Sequence, residues 1–303
     1  MRSCKPFQNW RDVKADFNAI GDGVADDTDA IQSALSSTID TTAPLFLPTG
    51  IYRITSTLVM TSPVYIRLLG TGKETTLLWA GQNQGTMMYL NGIGYSRIGG
   101  IRFDGNNSAA IAIDQSWDGR DAGKFDSGNE YADLTLENIG IGIQAGNLGQ
   151  GAAESVVNRC EFINCGIGIT TRNPNALDWF VWYSVFKNCG IGITNAFGGF
   201  HSFNSIFSSS KLADINIANG SYISIRNNYS VDSKKFIAAP FLGQNGAQTT
   251  IQGNVIIDPV DDTAIDIHNY GPVILLDNII KSRVGASDSA VEYGVYDLSL
   301  IHI

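Results

Sequence analysis

The chain has 303 residues, of which 33 are glycine and 16% are charged, and its net charge is −9. This composition, with Val, Ile, Thr, Phe and Tyr dominating the periodic segments, favours one long β domain. The negative charge excludes a general nucleic-acid-binding surface, which needs a basic stripe. An acidic polysaccharide could bind only where calcium or a local Lys/Arg cluster offsets the repulsion.

Neither end of the chain carries a recognisable targeting segment. Residues 1–10 (MRSCKPFQNW) lack the apolar core of a signal peptide, and no apolar run is long enough to span a membrane. We therefore expect no membrane partner, and either that the protein is not exported by that route or that its true start is missing. Residues 298–303 offer no capping element for a last repeat, so we also expect a truncated C-terminus.

The most informative segment is 15–32, which reads ADFNAIGDGVADDTDAIQ. The Gly-Asp-Gly of residues 21–23 predicts a tight turn, because glycine adopts positive φ without strain. Asp27 or Thr28 is expected to cap a following helix that plugs the open end of the core. The apolar face of this helix is predicted to comprise Ala30, Ile31, Ala34 and Leu35. A calcium loop is disfavoured, because the ligand spacing of an EF-hand is missing.

This segment closely resembles the N-terminal motif of the pectate-lyase-like right-handed parallel β-helix superfamily, in particular its rhamnogalacturonase/epimerase-like and polygalacturonase-related members. Asn18 stands where glycine is common in that motif, and the rest matches. The resemblance implies an all-β fold, a single-stranded right-handed parallel β-helix (solenoid) with a short N-terminal capping helix. We expect one structural domain, with the first strand and capping helix in 1–43 and the β-helix in 44–303. The resemblance also implies a polysaccharide partner and an extracellular or cell-surface location.

Two registers with a period near 25 residues predict the coils of a solenoid. The first is a column of Gly-Ile-x-Ile strands, with a further, ambiguous coil near Phe236 and Ile237. Its members are Ile141, Ile167, Ile191, Ile215 and Ile265. In the resembled superfamily the outer face of this sheet floors the substrate groove. Because side chains alternate along a strand, the residue between each isoleucine pair is predicted to face outward. That outward column comprises Gly142, Gly168, Gly192, Asn216, Asp266 and Glu292.

The second register is a column of asparagines spaced 24, 26 and 24 residues apart, namely Asn204, Asn228, Asn254 and Asn278. Amides stacked on successive strands about 4.8 Å apart can hydrogen-bond along the axis. We therefore predict a structural asparagine ladder rather than a catalytic site. Cys165 and Cys189 fall at equivalent repeat positions, and we expect the four cysteines to be free and buried.

The strongest candidate for catalysis is segment 260–269, which reads VDDTAIDIHN. Asp261 and Asp262 precede a strand on which Asp266 faces outward. One coil earlier, Asp232 is predicted to be equivalent to Asp261, because each lies four residues before an inward position. Glycoside hydrolysis needs one carboxylic acid and one carboxylate, and clustered carboxylates separate one another's pKa values. We therefore predict these four aspartates as catalytic residues.

The same segment resembles the Asp-Asp element of polygalacturonases, which implies hydrolysis of a pectin-like or other acidic polysaccharide without a cofactor or metal. Residues 287–293 lack the Gly-His-Gly of those enzymes, and no later Arg-Ile-Lys follows. A lyase remains open, with Arg226, Lys234 or Lys235 abstracting the proton beside a uronate carboxylate and Ca²⁺ holding that carboxylate. Elimination ranks below hydrolysis, because the Arg-x-Pro-x-x-Arg of pectate lyases is missing.

A second alternative is a phage-tailspike-like or surface protein that binds a glycan without cutting it, as a homotrimer if it is tailspike-like. Residues predicted to bind the polysaccharide are Trp117, Arg172, Asp178, Trp179, His201, Lys234, Lys235 and His268. Trp117 shares its loop with Asp118 and Arg120. Trp179 and Trp182 could stack on sugar rings or fill the core. His268 could take part in acid–base chemistry or form a hydrogen bond in a turn.

Overall fold

The computed structural model describes residues 9–38, 43–61, 65–117, 119, 126–147, 151–242, 248–269, 272–282, 291–293 and 301–302. Within these residues the chain winds as a right-handed parallel β-helix of about 9 turns with one short helix. This confirms the predicted all-β solenoid. Each full coil crosses three parallel sheets, called A, B and C in the order in which the chain visits them, and neighbouring strands of a sheet come from successive coils.

The strands are short, and their bounds follow the repeat. Sheet A comprises Arg11–Asp12, Leu45–Phe46, Arg67–Leu69, Arg97–Gly99, Glu130–Ala132, Val156–Asn158, Trp179–Trp182, Phe200–Phe203, Ile223–Arg226, Thr249–Gln252, Val273–Leu276 and Ile301–His302. Sheet B comprises Asp22–Asp26, Gly50–Ile54, Thr75–Trp79, Arg102–Asp104, Thr135–Glu137, Glu161–Ile163, Val185–Lys187, Ile206–Ser208, Tyr229–Val231, Val255–Ile257 and Ile279–Lys281. Sheet C comprises Leu58–Thr61, Thr86–Asn91, Ile111–Gln115, Ile141–Ala145, Ile167–Thr171, Ile191–Asn195, Ala213–Ile217, Ile237–Leu242, Ile265–Asn269 and Val291–Tyr293.

The helix α1 (Thr28–Ser36) closes the N-terminal end of the core. It follows the first strand of sheet B, where later coils place a strand of sheet C, and it contacts Leu58–Thr61. Its buried face includes Ile31, Ala34 and Leu35, as predicted, and Ala30 is partly buried against the core. No helix in the described ranges is long and apolar enough to cross a membrane.

The predicted side-chain cap of α1 by Asp27 is wrong. Asp27 precedes the helix, but its side chain makes no hydrogen bond to the first helical amides. Its buried carboxylate instead accepts the N–H groups of Ile20 at 2.6 Å and Gly21 at 2.9 Å. The N–H of Thr28 donates to the Asp26 carboxylate at 3.1 Å. Asp27 therefore fixes the glycine turn that leads into the solenoid, rather than the end of the helix.

The asparagine ladder is present, with one member replaced. Asn228 Nδ2 donates to Asn254 Oδ1 at 3.0 Å, and Asn254 Nδ2 donates to Asn278 Oδ1 at 2.8 Å. Upstream, the ladder position is taken by Ser205, whose N–H donates to Asn228 Oδ1 at 3.0 Å. Asn204 was assigned to the ladder wrongly: it lies one residue earlier, at a left-handed φ of 50°. Asparagine suits both positions, because its backbone tolerates the left-handed conformation of the turn and its amide stacks in a ladder.

The predicted register of sheet C is wrong by two residues at one coil. Ile141, Ile167 and Ile191 are paired in a column, but the next member is Ala213 rather than Ile215. Ile215 instead continues the neighbouring column, Ile193, Ile237 and Ile265. Counting Gly-Ile-x-Ile spacings joined two parallel columns, because the coil from Ile191 to Ala213 is two residues shorter than the coil from Ile167 to Ile191.

The glycine column of sheet C faces the core, not solvent as predicted. Its members are Gly142, Gly168 and Gly192, and the rings next to them are Phe162, Phe186 and Phe207. A Cβ added to any of these glycines would lie within 2.8 Å of a ring carbon on the following coil. The rings stack on one another with centroids 4.7 Å apart. An added Cβ would also lie 2.5 to 2.6 Å from a backbone carbonyl oxygen of the next coil, so both the ring stack and the neighbouring backbone require glycine.

The cysteines of the described residues agree with the sequence prediction. Cys160, Cys165 and Cys189 are free and buried, and Cys4 lies outside the described residues. The thiols of Cys165 and Cys189 interact across adjacent coils, and this contact together with burial raises the pKa of the Cys165 thiol. These residues fill the core and give no support to a disulfide framework.

Candidate active site

A mostly polar stripe runs along the outer face of sheet C, at one register position on successive coils. Its members are Asp114, Gln144, Thr170, Thr194, Asn216, Ala238 and Asp266. The outward placement of Asn216 and Asp266 agrees with the sequence prediction. The backbone of Glu292 pairs beside Asp266, but its side chain lies outside the described residues. Gln144, Thr170 and Thr194 are buried, whereas Asn216, Ala238 and Asp266 are partly exposed. The C-terminal part of the stripe is therefore the floor of the candidate groove.

Two successive coils bring charged groups together at the C-terminal end of the stripe. Asp266 projects from its sheet C strand, while Lys235 ends the turn that precedes the sheet C strand one coil earlier. Asp261 lies in the turn before Asp266, and its N–H donates to the carbonyl of Lys234 at 3.0 Å. The two turns therefore stack like the strands, and this stacking holds Asp261 over Lys235.

Lys235 stands between two carboxylates. Its Nζ lies 2.7 Å from Asp266 Oδ2 and 4.0 Å from Asp261 Oδ2. The two oxygens cannot be further apart than the sum of these distances. This limit admits the roughly 5 to 5.5 Å of retaining glycosidases and excludes most of the roughly 6.5 to 9.5 Å of inverting ones. Together with Asp262 and Thr263, Lys235 and Asp261 line an open depression of about 250 Å³. We call Lys235, Asp261, Asp262, Asp266 and His268 the carboxylate cluster.

His268 lies on the same strand as Asp266, two residues further on and on the same face. Its Nε2 is 3.1 Å from Asp266 Oδ1, and its side chain is 38% exposed. Oδ1 accepts no well-aligned hydrogen bond from any described residue. Asp266 thus presents Oδ1 to the half-buried imidazole, while Lys235 holds its other oxygen.

The cation of this cluster is a lysine. No three His, Cys, Asp or Glu side chains in the part of the chain that the structure describes are arranged to hold a metal ion.

Asp232 does not occupy the predicted position. The strand register pairs Ile237, not Phe236, with Ile265, so counting four residues back reaches Ser233 rather than Asp232. Asp232 lies at the start of its turn with a left-handed φ of 54°, where Asp258 lies on the next coil with a φ of 51°. Both residues serve a turn that favours aspartate. Asp232 is exposed, as is the predicted ligand-binding residue Lys234.

Arg172 contacts the stripe several coils upstream of the carboxylate cluster. Its Nη1 donates to Gln144 Oε1 at 2.9 Å. Gln144 is paired with Asp114 on the neighbouring strand. Burial raises the pKa of Asp114, while hydrogen bonds from Ser116 and Gln144 and the charge of Arg172 oppose that shift. This segment of the stripe is a separate polar cluster, not an extension of the carboxylate cluster.

Trp117 follows the sheet C strand Ile111–Gln115, which carries the first member of the stripe. Its ring covers Gly92, where an added Cβ would lie 2.8 Å from the indole. The indole Nε1 is buried and has no hydrogen-bond partner among the described residues. Asp118 and Arg120 lie outside the described residues.

The remaining predicted residues are Asp178, Trp179 and His201. They lie on strands of sheet A or directly before one, away from the sheet C groove. His201 Nε2 lies 3.2 Å from Asp178 Oδ1. Trp179 is fully buried, and its Nε1 donates to the carbonyl of Ala152. The core-filling interpretation of Trp179 is therefore correct, and this residue offers no surface to a ligand. Trp182 is 38% exposed.

Sequence reasoning missed a second depression, which surrounds Trp182 on the outer face of sheet A. It measures about 380 Å³ and is lined by Val156, Asn158, Arg159, Phe180, Trp182 and Tyr183. Alternation along the strand could have placed Phe180 beside Trp182 on the outer face. Tyr183 gave no such signal, because it lies in a turn with a left-handed φ of 50°.

Comparison with known proteins identifies the fold class. Residues 10–116 match the family described as "Rhamnogalacturonase A/epimerase, pectate lyase-like". This match and the coil architecture confirm the resemblance to the pectate-lyase-like parallel β-helix superfamily. No curated protein sequence matches the chain.

Several solved structures share the fold at low identity. An alginate lyase from Paenibacillus sp. str. FPU-7 is 15% identical with a TM-score of 0.57, over 87% of this chain and 96% of that one. The Streptococcus pneumoniae surface protein and adhesin PfbA is 14% identical with a TM-score of 0.57, over 94% of this chain and 100% of that one. A weaker structural match, with a TM-score of only 0.44, is to ORF18 of Geobacillus virus E2, which is 17% identical over 90% of this chain; this chain spans 60% of that chain.

Proposed function

We propose that the protein cleaves a pectin-like or other acidic polysaccharide by glycosidic hydrolysis in the groove on the outer face of sheet C. The observation that carries this proposal is the placement of Lys235 between Asp261 and Asp266 beside an open depression. A chain of net charge −9 repels a polyanion, and Lys235 supplies a local positive charge that could offset this repulsion.

Hydrolysis assigns separate tasks to the carboxylates. Asp261 or Asp262, at the mouth of the depression, would protonate the glycosidic oxygen. Asp266, on the groove floor, would activate water or attack the anomeric carbon. Two carboxyl groups on stacked turns and strands suit this division, because the solenoid fixes their separation.

Elimination is a second candidate reaction, favoured by the position of His268. A lyase needs a cation at the uronate carboxylate and a base at the neighbouring proton. Lys235 could supply the cation, and His268, whose imidazole can accept a proton and lies 3.1 Å from Asp266, could supply the base. Calcium would be needed only if Lys235 did not neutralise the substrate carboxylate.

Binding without cleavage is a third candidate, in line with the adhesin and tailspike proteins that share this fold. Such a protein would carry the groove as a glycan receptor. In each case we propose an extracellular or cell-surface site of action, and a tailspike-like protein would be a homotrimer.

One assay separates these candidates. The protein is incubated with polygalacturonate, alginate and dextran, and both reducing ends and the absorbance of an unsaturated product are measured. Hydrolysis releases reducing ends without absorbance, elimination gives both, and a receptor gives neither while still binding. We expect reducing ends alone from an acidic polymer.

The matched variants are Asp261→Asn with Asp262→Asn, and Asp258→Asn as the control. Asp258 is an aspartate of the same turn at a left-handed φ of 51°, a conformation that asparagine tolerates. The double variant should lose turnover while the control retains it. Wild-type turnover in the double variant would show that the pair is only a turn.

A further inference from the structure

The depression on sheet A lies at a step in side-chain size between two coils. Phe180 and Trp182 on one coil are paired with Val156 and Asn158 on the coil before. The two larger rings therefore stand above the two smaller side chains, and the space between them is the depression. Tyr183 extends this wall at its end.

The aromatic wall is supported from behind. Phe180 stacks on His201 of the next coil, with ring centroids 5.0 Å apart and an interplanar angle of 22°. Trp182 packs against Phe203 at 5.1 Å. One side of each ring rests on the following coil, so the other side is held open toward Val156 and Asn158. A wall that is already ordered loses little side-chain entropy when a ligand packs against it.

Tyr183 occupies a backbone position that disfavours it. It has a left-handed φ of 50° in a turn column whose other members are Gly100, Asp133, Arg159, Asn204, Asn227, Gly253 and Asp277. Bulky side chains are uncommon in this conformation. Burial does not compensate, because the side chain is 57% exposed. The position therefore presents the tyrosine ring at the surface, beside Trp182.

The rim of the depression supplies hydrogen-bond donors. Arg159 is oriented by Asp133, which accepts from its Nε at 2.7 Å and its Nη2 at 2.8 Å. That ion pair does not use Nη1. Asn158 adds a side-chain amide to the lining. Flat apolar faces beside a few oriented polar groups match a sugar ring, which has one apolar face of C–H groups and a rim of hydroxyls.

We propose that this depression is a second glycan-binding site, in which a pyranose ring packs on Trp182 and Tyr183 and hydrogen-bonds to Asn158 and Arg159. The choice of a polysaccharide as ligand rests on the proposed function. Sheet A and sheet C form different sides of the solenoid. A polysaccharide segment held on sheet A is therefore anchored outside the carboxylate cluster, and the protein keeps hold of the polymer independently of cleavage.

The test is affinity electrophoresis in gels that contain polygalacturonate, alginate or dextran. Tyr183→Asn removes the ring and places in the turn a residue that Asn204 and Asn227 already provide in the same column. Tyr65→Asn is the matched control, because Tyr65 also has a left-handed φ, 61°, and an equally exposed side chain, 57%.

We expect the wild type and Tyr65→Asn to be retarded equally by at least one polymer. Tyr183→Asn and Trp182→Ala should bind that polymer at least tenfold more weakly. Equal retardation of all variants would overturn the proposal, as would no retardation of the wild type by any of the three polymers. Sedimentation that shows an oligomer lost in Trp182→Ala, with retardation unchanged, would assign the surface to a second copy of the chain instead. Retardation without release of reducing ends would reject hydrolysis and leave this site standing.

Discussion

Asp214 and Ser230 occupy, on adjacent coils, the positions that Gly192 and Phe207 occupy one coil earlier. The Ser230 hydroxyl donates to Asp214 Oδ2, and both residues are buried. Where a phenylalanine ring fills the core, only glycine fits opposite it. Where serine replaces the ring, the vacated space accommodates a carboxyl group.

This buried carboxyl should make stability depend on pH. Burial raises the pKa of Asp214 from its ordinary value of 3.8 to about 7, although hydroxyls of Ser210, Ser230 and Ser233 lower it in part. The folded state therefore binds the proton more tightly than the unfolded state. The resulting stability is fully present below pH 3.8 and is lost as the pH rises through about 7.

The Asp214→Asn side chain cannot ionise, so the free energy of unfolding of this variant should not fall as the pH rises through about 7. Relative to the variant, the wild type should lose up to about 4 kcal/mol between pH 4 and pH 8, at 1.36 kcal/mol per pKa unit. Urea unfolding at a series of pH values measures the difference. Parallel pH profiles for the two proteins would contradict the assignment.

The arrangement of Asp214 and Ser230 should be transferable to the equivalent residues one coil earlier, Gly192 and Phe207. Gly192→Asp alone overpacks the core, at a cost of about 1 to 3 kcal/mol or more, and Phe207→Ser alone leaves a cavity, at a cost of about 3 to 5 kcal/mol. The double variant should be destabilised by less than the sum of the two. A double-mutant cycle in urea tests this, and strict additivity would mean that the two sites do not share space.

Substitution of Asn254 in the ladder should destabilise the protein strongly. Its side chain donates to the carbonyl of Ile225 at 3.0 Å and accepts the N–H of Asn228 at 2.9 Å, in addition to its two ladder bonds. Asn254→Ala leaves these buried groups without partners, and we expect a loss of about 2 to 4 kcal/mol. Asn204→Gly, in the left-handed turn outside the ladder, should change stability by no more than about 0.5 kcal/mol. Equal losses in the two variants would contradict the structural distinction between them.

Asp27→Ala should destabilise the N-terminal turn. The substitution removes the acceptor of the Ile20 and Gly21 amides, and we expect a loss of about 1 to 3 kcal/mol for each amide left buried. Asp29→Ala, an exposed acidic residue in the first turn of α1, is the control and should cost no more than about 1 kcal/mol. Thermal melts followed by circular dichroism compare the two.

Lys235→Gln should weaken the use of an acidic substrate more than catalysis itself. The charge that offsets substrate repulsion is removed, so KM for the acidic polymer should rise about tenfold, or roughly 1.4 kcal/mol. Lys211→Gln, at an exposed site in the turn one coil earlier, should leave KM unchanged. Steady-state kinetics at low and high salt provide the measurement. An unchanged KM in Lys235→Gln would remove the lysine from substrate binding.

The sequence predicted the solenoid because the N-terminal motif and the coil period are local signals. It predicted Asn228, Asn254 and Asn278 correctly, since their spacing follows the coil length. It misplaced Asn204 and Asp232, because left-handed turns use the same residue types as ladders and active sites. The inward glycines could not be recognised either, since their position depends on phenylalanines from another coil. Lys235 and Asp266, 31 residues apart, meet only because two turns stack.

Because glycine on one coil packs against phenylalanine on the next, the number of coils in the solenoid can change without disturbing the core. From Gly142 to Phe207, each coil presents the same small and large residues to the coils before and after it. A gene segment that encodes one of these coils could be copied or deleted without creating a mismatch. Asp214 and Ser230 end this run of interchangeable units. Lengthening is therefore expected upstream of Asp214, where it would shift the capped N-terminal end and leave the geometry around Lys235 intact.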